Sequence, residues 1–414
     1  MLEQFFDNPL VVDRLRHGPL SPHLDSFAGA LVGLGYARRT AGFQFNVLDR
    51  IGQWLNGHDL TVVDLEEPIV ERFLEERRRQ GKRGRGDRAT LRRFLDHLRH
   101  AGVIPARPLV LDAHPLARLE RRYEQYLRME RGLSTDTVRN YLPFVHRFLV
   151  ERFVGVPLPL GELHASDSSA FILRHAGSTG LGRAKLMVTA LRSFLRFLLQ
   201  HGEIDTDLAA SVPAVSGWRQ AGVPKHLGAQ DVQRVLDTCN RHTAMGRRNY
   251  AILLLLARLG LRAGEVVALQ LDDVDWRAGE ITVRGKGAVQ DRLPLVPDVG
   301  AAVADYVRQD RPRCTSRQLF IRMNAPHRGF LSPAAVSTIV ERAVERAGLH
   351  PPIRGAHLLR HSLATGMLRC GASMAEIGQV LRHRAATTTE IYAKVDFEGL
   401  RALARRWPGQ EVPR

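Results

Sequence analysis

The stretch Arg248-Asn249-Tyr250-Ala251-Ile252-Leu253-Leu254-Leu255-Leu256-Ala257-Arg258-Leu259-Gly260-Leu261-Arg262 decides the fold of the second half of this chain. Residues 248–259 are almost uniformly apolar, and a helix that is apolar on every side belongs inside a core. Its longest apolar run, 251–257, is far too short to span a bilayer. Gly260 stops the helix. Arg262 comes directly after that stop, ahead of a short helix over 263–269. Taken alone, Arg262 reads most simply as a surface arginine paired with Glu265. Held by a core helix with a glutamate beside it, it is also a positioned guanidinium.

Working outward from that helix, helix and strand alternate from Gly228 on. Residues 229–239 predict a helix. Residues 280–284 and 291–295 predict a β-hairpin with its turn at Gly285-Lys286-Gly287-Ala288. Further helices are expected over 298–309, 332–347, 356–370, 373–381 and 387–393. This half is therefore mainly α with one small β-sheet. Before it, residues 206–226 carry Pro213, Gly217, Gly222 and Pro224 with little apolar periodicity, and read as a linker. A joint there lets two domains close around a rod-shaped partner.

The first half repeats itself. Leu91-Arg92-Arg93-Phe94-Leu95, ending at Gly102-Val103-Ile104, is echoed by Leu191-Arg192-Ser193-Phe194-Leu195, ending at Gly202-Glu203-Ile204, at an offset of 100 residues. A glycine-rich loop precedes each helix, over 81–86 and 177–182. Gly35-Tyr36-Ala37 and Gly132-Leu133-Ser134 each open an earlier helix. Two copies of a small helical domain, about 21–105 and 115–205, account for this. Chance similarity between amphipathic helices is the plainer explanation. Pro143 predicts a kink in the helix that Ser134 or Thr135 caps. Residues 183–201 turn Leu186, Ala190, Phe194, Phe197 and Leu198 inward. Lys185, Arg192 and Arg196 lie on other faces, where they are candidates for phosphate contacts or ordinary solvated charge.

Composition narrows the partner. The 414 residues hold 60 Lys plus Arg against 43 Asp plus Glu, a formal net charge of +17. Such an excess suits a polyanion. Membrane is the competing polyanion, but the chain offers no apolar anchor. The first ten residues contain acids and no hydrophobic signal core, so a cytoplasmic location is expected. Cys239, Cys314 and Cys370 are odd in number and lack metal-ligand spacing, and read as reduced thiols. Arginine far outnumbers lysine, which fits bidentate phosphate contacts and equally a GC-rich coding bias.

The chemistry gathers late in the chain. His357 and Arg360 are three apart on one predicted helix and share a face, whereas His361 is expected to point away. The tripeptide Leu-Arg-His is uninformative, because it recurs at Leu98, Leu173 and Leu381. His383 follows a helix end, and Tyr392 lies nine residues on among Ile391, Ala393 and Val395. Lys286 sits between glycines on a tight turn, free to reach a leaving oxygen. A tyrosine can act as nucleophile and the cations can hold a phosphate and its developing charge. Each position alone has an ordinary reading as a core tyrosine, a turn lysine or a surface arginine. Their order in the chain is what carries weight.

From about residue 228 to 407 the chain resembles the catalytic domain of the tyrosine recombinases, the phage integrase family. Arg262 within Ala257-Arg258-Leu259-Gly260-Leu261-Arg262-Ala263-Gly264-Glu265 matches the first arginine box, and Lys286 the hairpin lysine. His357-Leu358-Leu359-Arg360-His361 matches the His-x-x-Arg box, His383 the second histidine and Tyr392 the nucleophile. Arg382 departs from the family, which usually has glycine before that histidine. Residues 113–205 resemble the family's core-binding domain, 1–105 resemble a second one, 227–407 form the catalytic domain and 408–414 a tail.

The resemblance implies a clamp on double-stranded DNA at specific recombination sites. It implies a homo-oligomer, a tetramer on DNA, with other recombinases of the same element as further partners. Tyr392 would attack the scissile phosphate to give a 3′-phosphotyrosyl link. Arg262 and Arg360 would bind the non-bridging oxygens and His383 the phosphate. Lys286 would protonate the 5′-oxygen and His357 exchange a proton with the tyrosine. No cofactor, metal or ATP is implied. A mobile element is the expected setting, because the extra N-terminal domain is unlike compact chromosome-resolving members. The tail, with Leu400, Leu403 and Trp407 at helical spacing, would dock on a neighbouring protomer or on its own domain. The rival readings are an accessory DNA-binding protein and a topoisomerase-like relaxing enzyme.

Overall fold

The computed structural model describes residues 1–414 except 83, 85, 107–113, 154–157, 217–224, 286–288 and 396–414. It divides into two compact units, one formed by Met1–Ala106 with Gly222–Arg414, the other by Arg107–Ala221. Among the described residues no helix is long and apolar enough to cross a membrane.

The first hundred residues fold as α1 (Pro9–Arg16), α2 (Ser21–Gly33), α3 (Arg38–Asn56), α4 (Glu67–Arg79) and α5 (Asp87–His100). Phe27, Phe45, Phe94, Leu31, Ile51 and Leu98 are fully buried and fill the space between them. Within the same unit, the backbone amide of His327 donates to the carbonyl of Leu34 at 2.9 Å. The imidazole lies over Gly35, where a Cβ would fall 2.1 Å from Nδ1. Gly35 also has φ +77, a left-handed conformation that glycine adopts without strain.

The other unit holds α6 (Pro115–Gln125), α7 (Thr135–Arg152), α8 (Ala165–Ala176) and α9 (Leu181–Gln200). Ser134 accepts from the Thr137 amide at 3.3 Å and starts α7, and Pro143 lies inside that helix. The expected linker begins too early. Leu208, Ala209 and Val212 are buried in this unit's core, so the chain leaves the core only after Val212. Arg192 explains part of this, because its Nη2 donates to the Val212 carbonyl at 2.7 Å.

The C-terminal half builds α10 (Ala229–Asp237), α11 (Ala244–Arg258), α12 (Ala263–Ala268), α13 (Pro297–Asp305), α14 (Ala334–Arg346), α15 (Ala356–Arg369) and α16 (Met374–Val380). As its sequence requires, α11 is the central helix, packed against α10, α12, α13, α14 and α15. Residues 251–257 on it are buried. Strands β1 (Val274–Asp275), β2 (Glu280–Arg284) and β3 (Gln290–Pro294) form an antiparallel sheet in the order β1-β2-β3. The hairpin register pairs Thr282 with Arg292, and β1 adds an edge that the sequence did not suggest. The helix expected over 387–393 is instead two 3₁₀ pieces, Ala386–Thr388 and Glu390–Val395. Three consecutive threonines with branched side chains favour the shorter, tighter turns over a regular α-helix.

Candidate active site

Two turns and helix α15 converge at the C-terminal end of α11. The first is the α11–α12 turn. Gly260 has φ +60, and a Cβ there would lie 2.7 Å from Leu381 Cδ2. Glycine thus serves both the helix stop and the close approach of the turn after α16. Arg262 begins α12, and Glu265 reaches back to it. Its carboxylate accepts from the Arg262 amide at 2.8 Å and from Nη1 at 2.7 Å. Glu265 is buried, at 5% exposure, while Arg262 keeps 39% of its side chain open. Burial pushes the Glu265 carboxyl up. The Arg262 amide and the charges of Arg382 and Arg262 outweigh that and hold it below the usual range.

The second element is α15. Arg360 is 3% exposed, and its guanidinium donates to the carbonyls of Gly260 and Leu381. One side chain therefore ties the α11–α12 turn to the turn after α16. Burial, followed by the charges of Arg262 and Arg382, brings its pKa down to about 10. His357 lies one turn earlier and is exposed at the surface. Its imidazole is held below the usual value by desolvation and by Arg360 and Arg262.

The third element is the turn after α16, started by a capping box of Ser373 and Glu376. Here Arg382 has φ +55. His383 Nδ1 lies 2.8 Å from Thr389 Oγ1, and its pKa falls to about 4 through burial and the Arg360 and Arg262 charges. Tyr392 follows on the last 3₁₀ piece. It is 1% exposed in a small cluster with Ala364, Ile377 and Leu381. Burial raises its phenol pKa against the pull of Arg360 and Arg262.

The histidine at the phenol corrects the sequence expectation. His361 does not point away, since its Nδ1 lies 2.8 Å from Tyr392 Oη. Its pKa is driven to about 4 by burial and by His357, Arg360 and His226. A neutral imidazole accepts the phenol proton when Oη donates to Nδ1. The signal was available. His361 is four residues after His357, so the two share a helix face, with ring centroids 6.2 Å apart. Arg382 was also missed as a site residue, although its Nη2 donates to Glu265 Oε2 at 2.8 Å.

Arg262, His357, Arg360, His383 and Tyr392 thus belong to one site. Lys286 lies outside the described residues, as does the tail with Leu400, Leu403 and Trp407. In the other unit, Lys185 and Arg196 are exposed on α9. Arg192 is instead committed to the Val212 carbonyl, because α9 must fasten the segment that follows it. One of its guanidinium N–H groups thus serves the fold.

A basic, mainly helical chain thus collects arginines, imidazoles and one phenol in a single site. Comparison with known proteins gives its family. The model of the phage integrase family matches residues 225–398. A Sinorhizobium fredii protein named "Putative integrase/recombinase y4rA" is 42% identical over 411 residues, covering 99% of this chain and 100% of its own. Tyrosine recombinase XerD of Listeria monocytogenes is 30% identical over 278 residues, 65% of this chain and 91% of its own. The fold is shared with XerH recombinase bound to its palindromic difH substrate in a post-cleavage complex. The TM-score is 0.53 at 20% identity, covering 70% of this chain and 83% of that one. It is also shared with a lambda integrase (75–356) dimer bound to a COC′ core site. There the TM-score is 0.51 at 20% identity, over 72% and 99% of the two chains. The chain belongs to the phage integrase family of tyrosine recombinases, which are DNA strand-exchange enzymes.

Proposed function

We propose that this protein recombines double-stranded DNA at specific sites through a covalent 3′-phosphotyrosyl intermediate. The observation that carries the reading is the Tyr392 phenol, set against His361 in the site that also holds Arg262 and Arg360. The phenol oxygen attacks the scissile phosphorus, the Oη–P bond forms and the P–O5′ bond breaks. The phenol proton passes to an imidazole, His361 being the one in contact and His357 the next along the helix face. The 5′-oxygen leaves as a hydroxyl, with Lys286 as its proton donor. Arg262 and Arg360 stabilise the charge that builds on the non-bridging oxygens, and His383 hydrogen-bonds the phosphate. Attack by a partner strand's 5′-hydroxyl reverses these steps and reseals the backbone.

Tyr392 is covered, so the reaction requires the segment Glu390–Val395 to shift once DNA is in place. The +17 charge supports a polyanionic substrate. DNA-bound dimeric relatives of the same fold support assembly on the substrate, and we infer a tetramer on two paired sites. The full-length match to the y4rA protein, N-terminal hundred residues included, supports an integrase or recombinase, and the extra N-terminal domain leads us to infer a mobile-element setting. We infer that residues 1–105 and 113–205 are two copies of the core-binding domain. Helices α2–α5 of the first and α6–α9 of the second follow in the same order, with positive-φ glycines at Gly102 and Gly202 closing the last one of each.

The test mixes the protein with labelled DNA from the ends of its own genetic element, nicked near candidate crossover points. A detergent-stable adduct in the wild type that is absent with Tyr392→Phe is the expected result. DNA binding without an adduct on any nicked substrate overturns the catalytic reading in favour of an accessory binder.

A further inference from the structure

The turn that carries His383 contains the least expected residue of the site. Arg382 occupies a left-handed backbone position, φ +55, that favours glycine over a long side chain. Yet its side chain is only 6% exposed. Its Nη2 donates to Glu265 Oε2 at 2.8 Å, and Nη1 donates to the carbonyls of Val380 at 3.1 Å and Leu259 at 3.4 Å. Its Nε is buried without a partner among the described residues. A strained backbone conformation persists where the surroundings over-determine it, and such positions gather at functional sites.

What Arg382 holds follows from its neighbours. Glu265 is shared, with Oε1 facing Arg262 Nη1 and Oε2 accepting from both the Arg262 amide and Arg382. One residue before Arg382, the Leu381 carbonyl accepts from Arg360. One residue after it stands His383. A single guanidinium therefore fastens the last turn of the site to the carboxylate that aims Arg262. Arg262, Arg360 and Arg382 face the one acid, Glu265, an excess of positive charge that an incoming phosphate would offset.

We propose that Arg382 is a positioning residue for phosphate binding and cleavage. It acts through Glu265 on Arg262 and through the 381–383 turn on Arg360 and His383. This rests on the reading of Arg262 and Arg360 as the phosphate clamp.

The decisive variant is Arg382→Gly, because glycine fits the backbone without strain while the Glu265 pair and the contacts to the Val380 and Leu259 carbonyls are removed. Three measurements are made on the full-length protein. In the nicked-DNA adduct assay, Arg382→Gly is expected to slow adduct formation about tenfold. Arg382→Lys recovers most of that rate, and Arg382→Gly still unfolds cooperatively, with a midpoint lowered by the contacts it loses. Combining Arg382→Gly with Glu265→Gln is expected to be little slower than the slower single variant, as for two groups acting in one chain of contacts. Without DNA, sodium tungstate, a phosphate-shaped dianion, is titrated while thermal unfolding is followed. About tenfold more tungstate should be needed to stabilise Arg382→Gly as much as the wild type.

An unchanged rate and tungstate response in Arg382→Gly overturns the proposal. So do fully additive effects with Glu265→Gln, and so does a wild type that tungstate does not stabilise. A wild type that forms no adduct but binds tungstate through Arg382 sinks the recombinase mechanism and leaves the positioning role standing.

Discussion

The two ends of the active site are built differently. At the arginine end, Arg360 is buried and bonded to two backbone carbonyls, while Glu265 is buried and accepts from Arg262 and Arg382. These groups are tied to one another by hydrogen bonds across the turns after α11 and α16. At the tyrosine end, Tyr392 lies on a 3₁₀ piece in a small satellite cluster, with one side-chain hydrogen bond to His361. On the proposed mechanism, the difference means that the chain pre-forms the place for the phosphate and keeps the nucleophile on a separable segment. Preorganised donors are the larger catalytic term, and a group that must move has to be held by few contacts.

The largest break in this comparison comes at the arginine end. Arg360→Ala should reduce adduct formation by about 10²–10³-fold, the scale of losing a transition-state donor. It should also destabilise, because the Gly260 and Leu381 carbonyls both lose their donor, at a cost of about 1–3 kcal/mol for each buried group left unpaired. Adduct kinetics and denaturant unfolding of the same preparation check both. A variant that loses cleavage alone would mean that the two carbonyl contacts are replaced by water. Gly260→Ala should come next. The positive φ and the 2.7 Å approach to Leu381 Cδ2 together predict a loss of about 2–3 kcal/mol in unfolding free energy. Cleavage should fall too, since the same turn places Arg262.

Much of the arginine end was legible in the sequence, and for a physical reason. An apolar helix, a glycine stop and an arginine just beyond it are local features whose periodicity and turn chemistry read directly. The β2–β3 hairpin was readable in the same way. The tyrosine end was less legible. Its partner His361 comes from α15, and the pairing depends on how the segment after α16 folds back, which no spacing within that segment reveals. The 3₁₀ geometry of 386–395 was less legible because a threonine run weakens a regular helix without saying which tighter turn replaces it. The contact of Arg192 with the Val212 carbonyl was not legible, because a guanidinium on a helix face looks the same in sequence whether it meets a phosphate or a carbonyl. The start of the linker was hard to read for a similar reason, as Leu208 and Val212 bury themselves without any helical period.

Protonation distinguishes the two ends more gently. Glu265 has its carboxyl held below the usual range, so its stabilising pairs are complete above the unfolded-state pKa and are lost as pH falls through the folded value. The stability difference between wild type and Glu265→Gln should therefore be greatest near neutral pH. It should narrow as pH is taken below the ordinary glutamate range. Midpoints of thermal unfolding read at a series of pH values check this. A difference that stays constant would mean that Glu265 acts by shape alone.

The smallest effect is expected from the histidine that touches the nucleophile. His361 is neutral when folded, with its pKa pushed down to about 4 from an ordinary value of 6.5. Between those values the unfolded chain binds the proton and the folded chain does not. Stability contributed by the neutral ring is thus present above about pH 6.5 and lost as pH falls towards 4. His361→Asn removes this term. The variant should lose less stability than the wild type over that window, by about 1 kcal/mol for a partly buried ring. At neutral pH, adduct formation should drop only a few-fold, because His357 lies one turn away on the same face and a loosened Tyr392 reaches the phosphate more readily. A loss as large as that of Arg360→Ala would instead make His361 the general base itself. The tyrosine end would then be as firmly organised as the arginine end.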